Sequence, residues 1–432
     1  MKTFLAFLIL WLPFNPAWAG PTHHAESIGA DMSVKGPLTV AQILAEVKAK
    51  NPGLRAASES VAAAEARIDA SGVLDNPELG GELMYVPNGG FITAADEKNW
   101  TLKQTVRIPA YYRLQKDVAR IQTDIQRAHY HAQLNAVLAE ARSAYSMYNH
   151  AFQLLGFFQE NIAVLRRFAK VAESKYVVGQ ATQGEVLKAQ VELTRMLNMQ
   201  VMAQQDQETA RAMLNRLMDR PAESPLPQPT YPVWRKLKPS YDELLQAAWE
   251  QKPELMAASY DVRIAQLVLD QSRADYWPEV MSQYRSRNSA STGRSNDLMV
   301  GVALPIQWGA LSAREKSAEA ELAVATATFA AQRNAIAYEL KKQIVTVQAN
   351  ERFVELYDSS VLPQAQQALQ VTEASYQSGK ASFLDLLDAE RLLLQSNLEY
   401  HQYLDEHEQA LAELEKIVGV RLQEPGFRED LQ

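Results

Sequence analysis

Two carboxylates, Asp385 and Asp388, stand three residues apart, shortly after Tyr376-Gln377-Ser378-Gly379. At the start of a helix they would share one face, from which they could attract cations. Acids in that place also favour the positive end of the helix dipole, and from the two residues alone this is the simpler reading. The positions two hundred residues earlier hold Glu185 and Lys188, so any paired acidity belongs to the second occurrence alone. Met196, Met199 and Met202 recur at three-residue steps. Thioethers suit soft ions such as Cu(I) or Ag(I), although methionine is also ordinary filler in helix seams. His23 and His24 lie in the N-terminal segment, and His129 and His131 would face different sides of one helix. No metal centre is expected from these residues. The chain has no His-Glu-x-x-His, no Gly-x-Ser-x-Gly and no phosphate-cradling Gly-rich loop with Lys. Neither enzymatic activity nor a cofactor is expected.

Long helices must position these side chains. The 432 residues are 47% hydrophobic and 22% charged with a mean hydropathy of -0.26, a folded composition that leaves no reserve for several apolar membrane helices. With no cysteine there is no disulfide, thiolate site or acylated N-terminal anchor. A net charge of -8 argues against nucleic acid as a partner. Lys2, the apolar run Phe4 to Leu12 and Ala17-Trp18-Ala19 have the layout of a cleaved signal peptide, residues 1–19, so export is expected.

The chain is written twice with an offset near two hundred. Asn51-Pro52 recurs as Lys252-Pro253, Asn76-Pro77 as Trp277-Pro278, and Tyr176-Val177-Val178-Gly179 as Tyr376-Gln377-Ser378-Gly379. The expected organisation is an N-terminal segment 20–37, a first repeat 38–220, a linker 221–239, a second repeat 240–420 and a tail 421–432. Six prolines, Pro221, Pro225, Pro227, Pro229, Pro232 and Pro239, make the linker extended. Each repeat reads as a helix (38–72; 241–276), two strands, a very long helix (113–176; 313–376), a Gly turn and a returning helix (183–218; 383–418). Leu114, Val118, Ile121, Ile125, Ala128 and Ala132 step by four and three along the first long helix, as in a coiled coil.

Trp100, Leu102, Val106 and Ile108 alternate with polar residues, and Leu298, Val300, Val302 and Leu304 alternate with small ones. That period gives each strand one apolar face. Their partners, near 79–86 and 280–287, lie across loops 87–98 and 288–296. About ten residues per strand suits a tilted membrane strand. A half-buried hairpin packed on helices in a soluble domain would read alike. Four strands cannot close a barrel, since about eight are needed, so a membrane reading requires several copies.

The duplicated plan, with Tyr-x-x-Gly at both turns and Leu384-Asp385-Leu386-Leu387-Asp388-Ala389-Glu390-Arg391 after the second, resembles the TolC family of outer-membrane efflux proteins over residues 38–420. Ile108-Pro109, Leu304-Pro305-Ile306 and Val178-Gly179-Gln180 look closest to its heavy-metal efflux branch. The resemblance implies a mainly α chain with β, forming a homotrimer. Its twelve strands would make a β-barrel in outer-membrane lipid, continued by a periplasmic barrel of coiled helices. The implied role is the passive exit duct of a tripartite pump, with a periplasmic adaptor and an RND-type inner-membrane transporter as partners and heavy-metal cations as candidate cargo. Members of that branch are often lipid-anchored through a Cys, which this chain lacks, so the barrel alone would anchor it. By resemblance, Asp385 and Asp388 form the periplasmic gate and selectivity ring, and Val178, Gly179, Ser378 and Gly379 meet the adaptor. The rival reading is a periplasmic coiled-coil tether without a channel.

Overall fold

The computed structural model describes residues 36–85, 95–230, 234–289 and 293–419. The signal peptide, His23 and His24, the Asn88-Gly89-Gly90 loop, Ser291 and Thr292, Pro232 and the tail 421–432 lie outside the described residues. The chain from Pro37 onward belongs to one unit.

Proline sets the first breaks. Residues 38–72 form two helices, α1 (Val40–Lys50) and α2 (Pro52–Ala70), and residues 241–276 likewise form α5 (Tyr241–Gln251) and α6 (Pro253–Ala274). The single helix expected in each repeat is therefore corrected to a pair. Pro52 and Pro253 occupy the first helical turn, where a missing N–H costs nothing, but they hold the preceding residue extended. The Asn51 side chain caps α2 by accepting from the Leu54 N–H at 3.2 Å. Its amide donates to the Leu217 carbonyl at 2.9 Å, pinning the corner to the next hairpin.

Between these pairs run the strands and rods: β1 (Glu78–Met84), β2 (Glu97–Val106), α3 (Pro109–Val177), α4 (Gln183–Leu217), then β3 (Glu279–Ser289), β4 (Gly293–Ala303), α7 (Trp308–Leu356), α8 (Leu362–Gln377) and α9 (Phe383–Val418). The 69 residues of α3 span about 104 Å. The second rod differs from its expected form, because a π-helical turn, Tyr357–Val361, separates α7 from α8. The local cause is Pro363 in the first turn of α8. It has no N–H to donate and its ring crowds the carbonyl four residues back, so the helix widens there. The Tyr357 hydroxyl donates to Glu399 of α9 at 2.5 Å and fastens the widened turn.

Both halves bury their helix corners in the same way. Leu44, Val47, Leu214 and Leu217 form one cluster with α3, and the residues two hundred later, Leu244, Ala247, Leu414 and Ile417, form another with Leu340, Ile344 and Val347 of α7. A third cluster near the turns joins the halves through Phe158, Leu165, Phe168, Met196, Phe383, Leu386 and Leu387.

The proline connector is strapped down by polar groups of the first half. Leu38 and Pro229 form a parallel bridge, with the Leu38 N–H donating to Gln228 at 2.8 Å and the Thr230 N–H to Leu38 at 2.8 Å. The Tyr145 hydroxyl shares its proton between the carbonyls of Thr230 at 2.7 Å and Leu38 at 2.9 Å, and burial pushes its pKa up to about 12. Tyr145→Phe should take its donor from the Thr230 carbonyl, while the Leu38 carbonyl keeps the Thr230 N–H, and lower stability by about 1–3 kcal/mol, read as a shift in the denaturant midpoint at unchanged m.

Candidate functional site

At the two turns the chain reverses through Gly179 (φ 74°) and Gly379 (φ 75°), in the left-handed region. A Cβ there would meet open space, so glycine is needed for the backbone conformation and not for room. The turns are near copies: the Gly179 N–H donates to Tyr176 at 3.0 Å, and the Gly379 N–H to Tyr376 at 3.2 Å. Lys175 of the first turn reaches the second, its Nζ 3.8 Å above the Tyr376 ring and 3.4 Å from the Tyr376 carbonyl. Val178, Gly179, Ser378 and Gly379 are all exposed at this end.

Asp385 is the third residue of α9 and closes a capping box. Its carboxylate accepts from the Ser382 N–H at 2.8 Å and hydroxyl at 2.7 Å, while the Asp385 N–H donates to Ser382 Oγ at 3.2 Å. These bonds from Ser382 hold the Asp385 carboxyl below its usual range, so it is ionised throughout neutral and mildly acidic conditions. Both functions considered for Asp385 remain open to one residue, since the cap uses one oxygen and leaves the group exposed. Asp388, one turn on and also exposed, accepts from Arg391 Nη1 at 3.3 Å. Arg391 Nη2 in turn donates to Glu192 of α4. Glu192, Glu390 and Arg391 went unassigned in the sequence; the only signal was Glu390-Arg391 directly following the acidic motif.

The methionine spacing does not assemble a ligand set. Met196 is 2% exposed in the core and Met202 is 58% exposed, so the two point away from each other. Among the described residues no group of three or more His, Asp or Glu is placed to hold a metal ion.

The strands form one antiparallel sheet in the order β1-β2-β3-β4. Leu79, Leu102, Tyr284 and Leu298 pair across it on one face, with Trp100, Val106, Val280, Val300 and Val302 on the same face by register. Trp100 is 63% and Leu298 74% exposed, part of a run of large apolar side chains left uncovered among the described residues. The opposite face carries Glu78 with Lys103 at 3.3 Å and Arg287 with Asp297 at 2.7 Å. The outer edges of β1 and β4 pair with no strand among the described residues. Ile108 and Leu304 correct the sequence reading: β2 ends at Val106 and β4 at Ala303. Ile108 is the N-cap residue of α3, and Leu304 lies in the exposed link ahead of α7. Pro109 and Pro305, which cannot donate to a ladder, account for both endings. Among the described residues no helix is long and apolar enough to cross a membrane.

Twin helical hairpins carrying one amphipathic four-stranded sheet are the architecture of an outer-membrane efflux protein. The sequence profile described as "Outer membrane efflux protein" matches residues 43–219 and 244–420, and the chain belongs to that family, as its TolC-like motifs lead one to expect. The family places it in the outer membrane, with the helices as the periplasmic extension. It is 23% identical to the cobalt-zinc-cadmium resistance protein CzcC of Cupriavidus metallidurans, over 89% of this chain and 90% of that protein. The fold matches the solved structure of CusC with a TM-score of 0.76 at 18% identity, covering 88% of this chain and 92% of that one. It also matches the outer membrane protein VceC of Vibrio cholerae, with a TM-score of 0.74 at 18% identity over 89% of this chain and 97% of that one.

Proposed function

We propose that three copies join β4 of one to β1 of the next, closing a twelve-stranded barrel through which solutes pass passively from the periplasm to the exterior. The observation that carries this reading is the sheet, whose two edges, unpaired among the described residues, and exposed apolar face are both satisfied at once by closure in lipid. A periplasmic tether would leave both in water. Trp100, Leu102, Val106, Leu298, Val300 and Val302 would face lipid. Asp385 and Asp388, repeated three times, would ring the periplasmic mouth and favour cations. Val178, Gly179, Ser378 and Gly379 would meet a periplasmic adaptor that links the duct to an RND-type inner-membrane transporter, the source of energy. Metal cations are the proposed cargo, a reading supported by the likeness to CzcC.

The test is extraction and reconstitution of the mature chain. A detergent-extracted, heat-modifiable trimer that conducts in planar bilayers is expected. A soluble monomer without conductance overturns the channel in favour of the tether.

A further inference from the structure

The buried stripe of α9 near the turn runs Phe383, Leu386, Leu387 and then Glu390, a carboxylic acid at a position that helical spacing assigns to the core. Glu390 is 3% exposed, and its Oε1 has no hydrogen-bond partner among the described residues. Facing it from α4 is Glu192, itself buried, and beside it is Arg391. Arg391 bridges the two halves of the chain, with one guanidinium nitrogen on Glu192 and another 3.3 Å from Asp388 at the mouth. We propose that Glu390, Arg391 and Glu192 form a proton-controlled clamp that holds α9 against α4 beside the mouth, closed while Glu390 is neutral and loosened when it ionises. The clamp rests on the channel reading above and adds a regulator to it.

The physical basis is a shortage of positive charge. With Glu390 neutral, one guanidinium serves Glu192 and Asp388. Ionised, Glu390 brings another buried carboxylate to compete for the same cation in an apolar cluster. Burial first, and then the charge of Glu192, push the Glu390 pKa up to about 7, with Arg391 opposing. Among the described residues these are the two charged groups beside it. From the other helices of the cluster, α3 presents Leu165, Phe168 and Ala172, and α8 presents Leu369 and Tyr376. The Tyr376 phenol, raised by burial and by Glu185, stays neutral across the relevant range.

The sign follows from linkage. A carboxyl whose pKa is raised by packing supports the packed state fully below its ordinary value of 4.5, and that support is lost progressively as pH rises to about 7. Each pH unit in that window shifts the balance by at most about tenfold per proton. The clamp therefore holds in acid and loosens toward neutrality.

The experiment is a macroscopic current recording of the full mature chain in planar bilayers at fixed voltage, between pH 5 and pH 7.5. The wild-type current should rise severalfold over this range. Glu390→Gln, nearly isosteric and permanently neutral, should stay at the acid level throughout. Arg391→Gln should conduct at the high level at both pH values, since it removes the bridge. A wild-type protein that conducts with a flat response, or a Glu390→Gln variant that keeps the wild-type response, overturns the clamp alone. A wild-type protein without current overturns the channel reading and the clamp together.

Discussion

Replacing Leu298 by arginine is expected to abolish the membrane-inserted trimer. Leu298 pairs with Tyr284 near the middle of β4 and stands on the exposed apolar face. A guanidinium on the lipid face of a β-barrel costs about 2–4 kcal/mol at the bilayer midplane, less toward the interfaces. Closure of three copies repeats the penalty three times, a total comparable with the whole stability of an ordinary domain, about 5–15 kcal/mol. The neighbouring substitution Met299→Arg supplies the control, because side chains of adjacent strand residues point to opposite faces. Met299 pairs with Gln283 on the face that carries the Glu78–Lys103 and Arg287–Asp297 pairs. Arginine there should be tolerated and should alter only conductance. The measurement is the fraction of chain recovered as heat-modifiable trimer from outer membranes. Equal recovery of the two variants would mean that the sheet has no lipid face, and the barrel would have to be given up.

The second large effect is at the mouth. Asp385→Asn with Asp388→Asn should lower cation preference and weaken block by multivalent cations by about tenfold, because six like charges in a constriction act together on one ion. Asparagine is the informative substitution at Asp385. It removes the charge yet keeps an oxygen to accept from the Ser382 N–H, whereas alanine would also open the capping box. Since the Ser382 hydroxyl and N–H hold the Asp385 carboxyl below its usual range, wild-type selectivity should persist at pH 5. Reversal potentials in a salt gradient decide the matter. Values unchanged between wild type and the Asn pair would reduce these acids to helix-capping residues.

Asp385 and Asp388 were legible as a pair, because a spacing of three on a helix is local information. Their surroundings were not. Arg391 meets Glu192 across 199 positions of sequence, and no periodicity within α4 or α9 says which residues of the two helices come level. The same holds for Met196 and Met202, whose regular spacing suggested a common path. Neighbouring rods cover one and leave the other in the open.

By itself the sequence determined the duplication, the two kinds of periodicity and the glycine turns, since steric preference at proline and glycine and the pitch of helix and strand act over a few residues. It also held the breaks at Pro52, Pro253 and Pro363, whose meaning depends on direction. Proline in a first turn permits a helix to begin, and whether the new helix continues the old axis, turns a corner or widens into a π turn depends on what packs against it. Only the tertiary structure decided that Asn51 would pin its corner to Leu217, that Tyr145 would hold the connector, and that a lone acid on the apolar stripe of α9 would lie beside another acid from the other half. Burial and pairing energies come from residues far apart in the chain, and they exist only once the two halves have folded against each other.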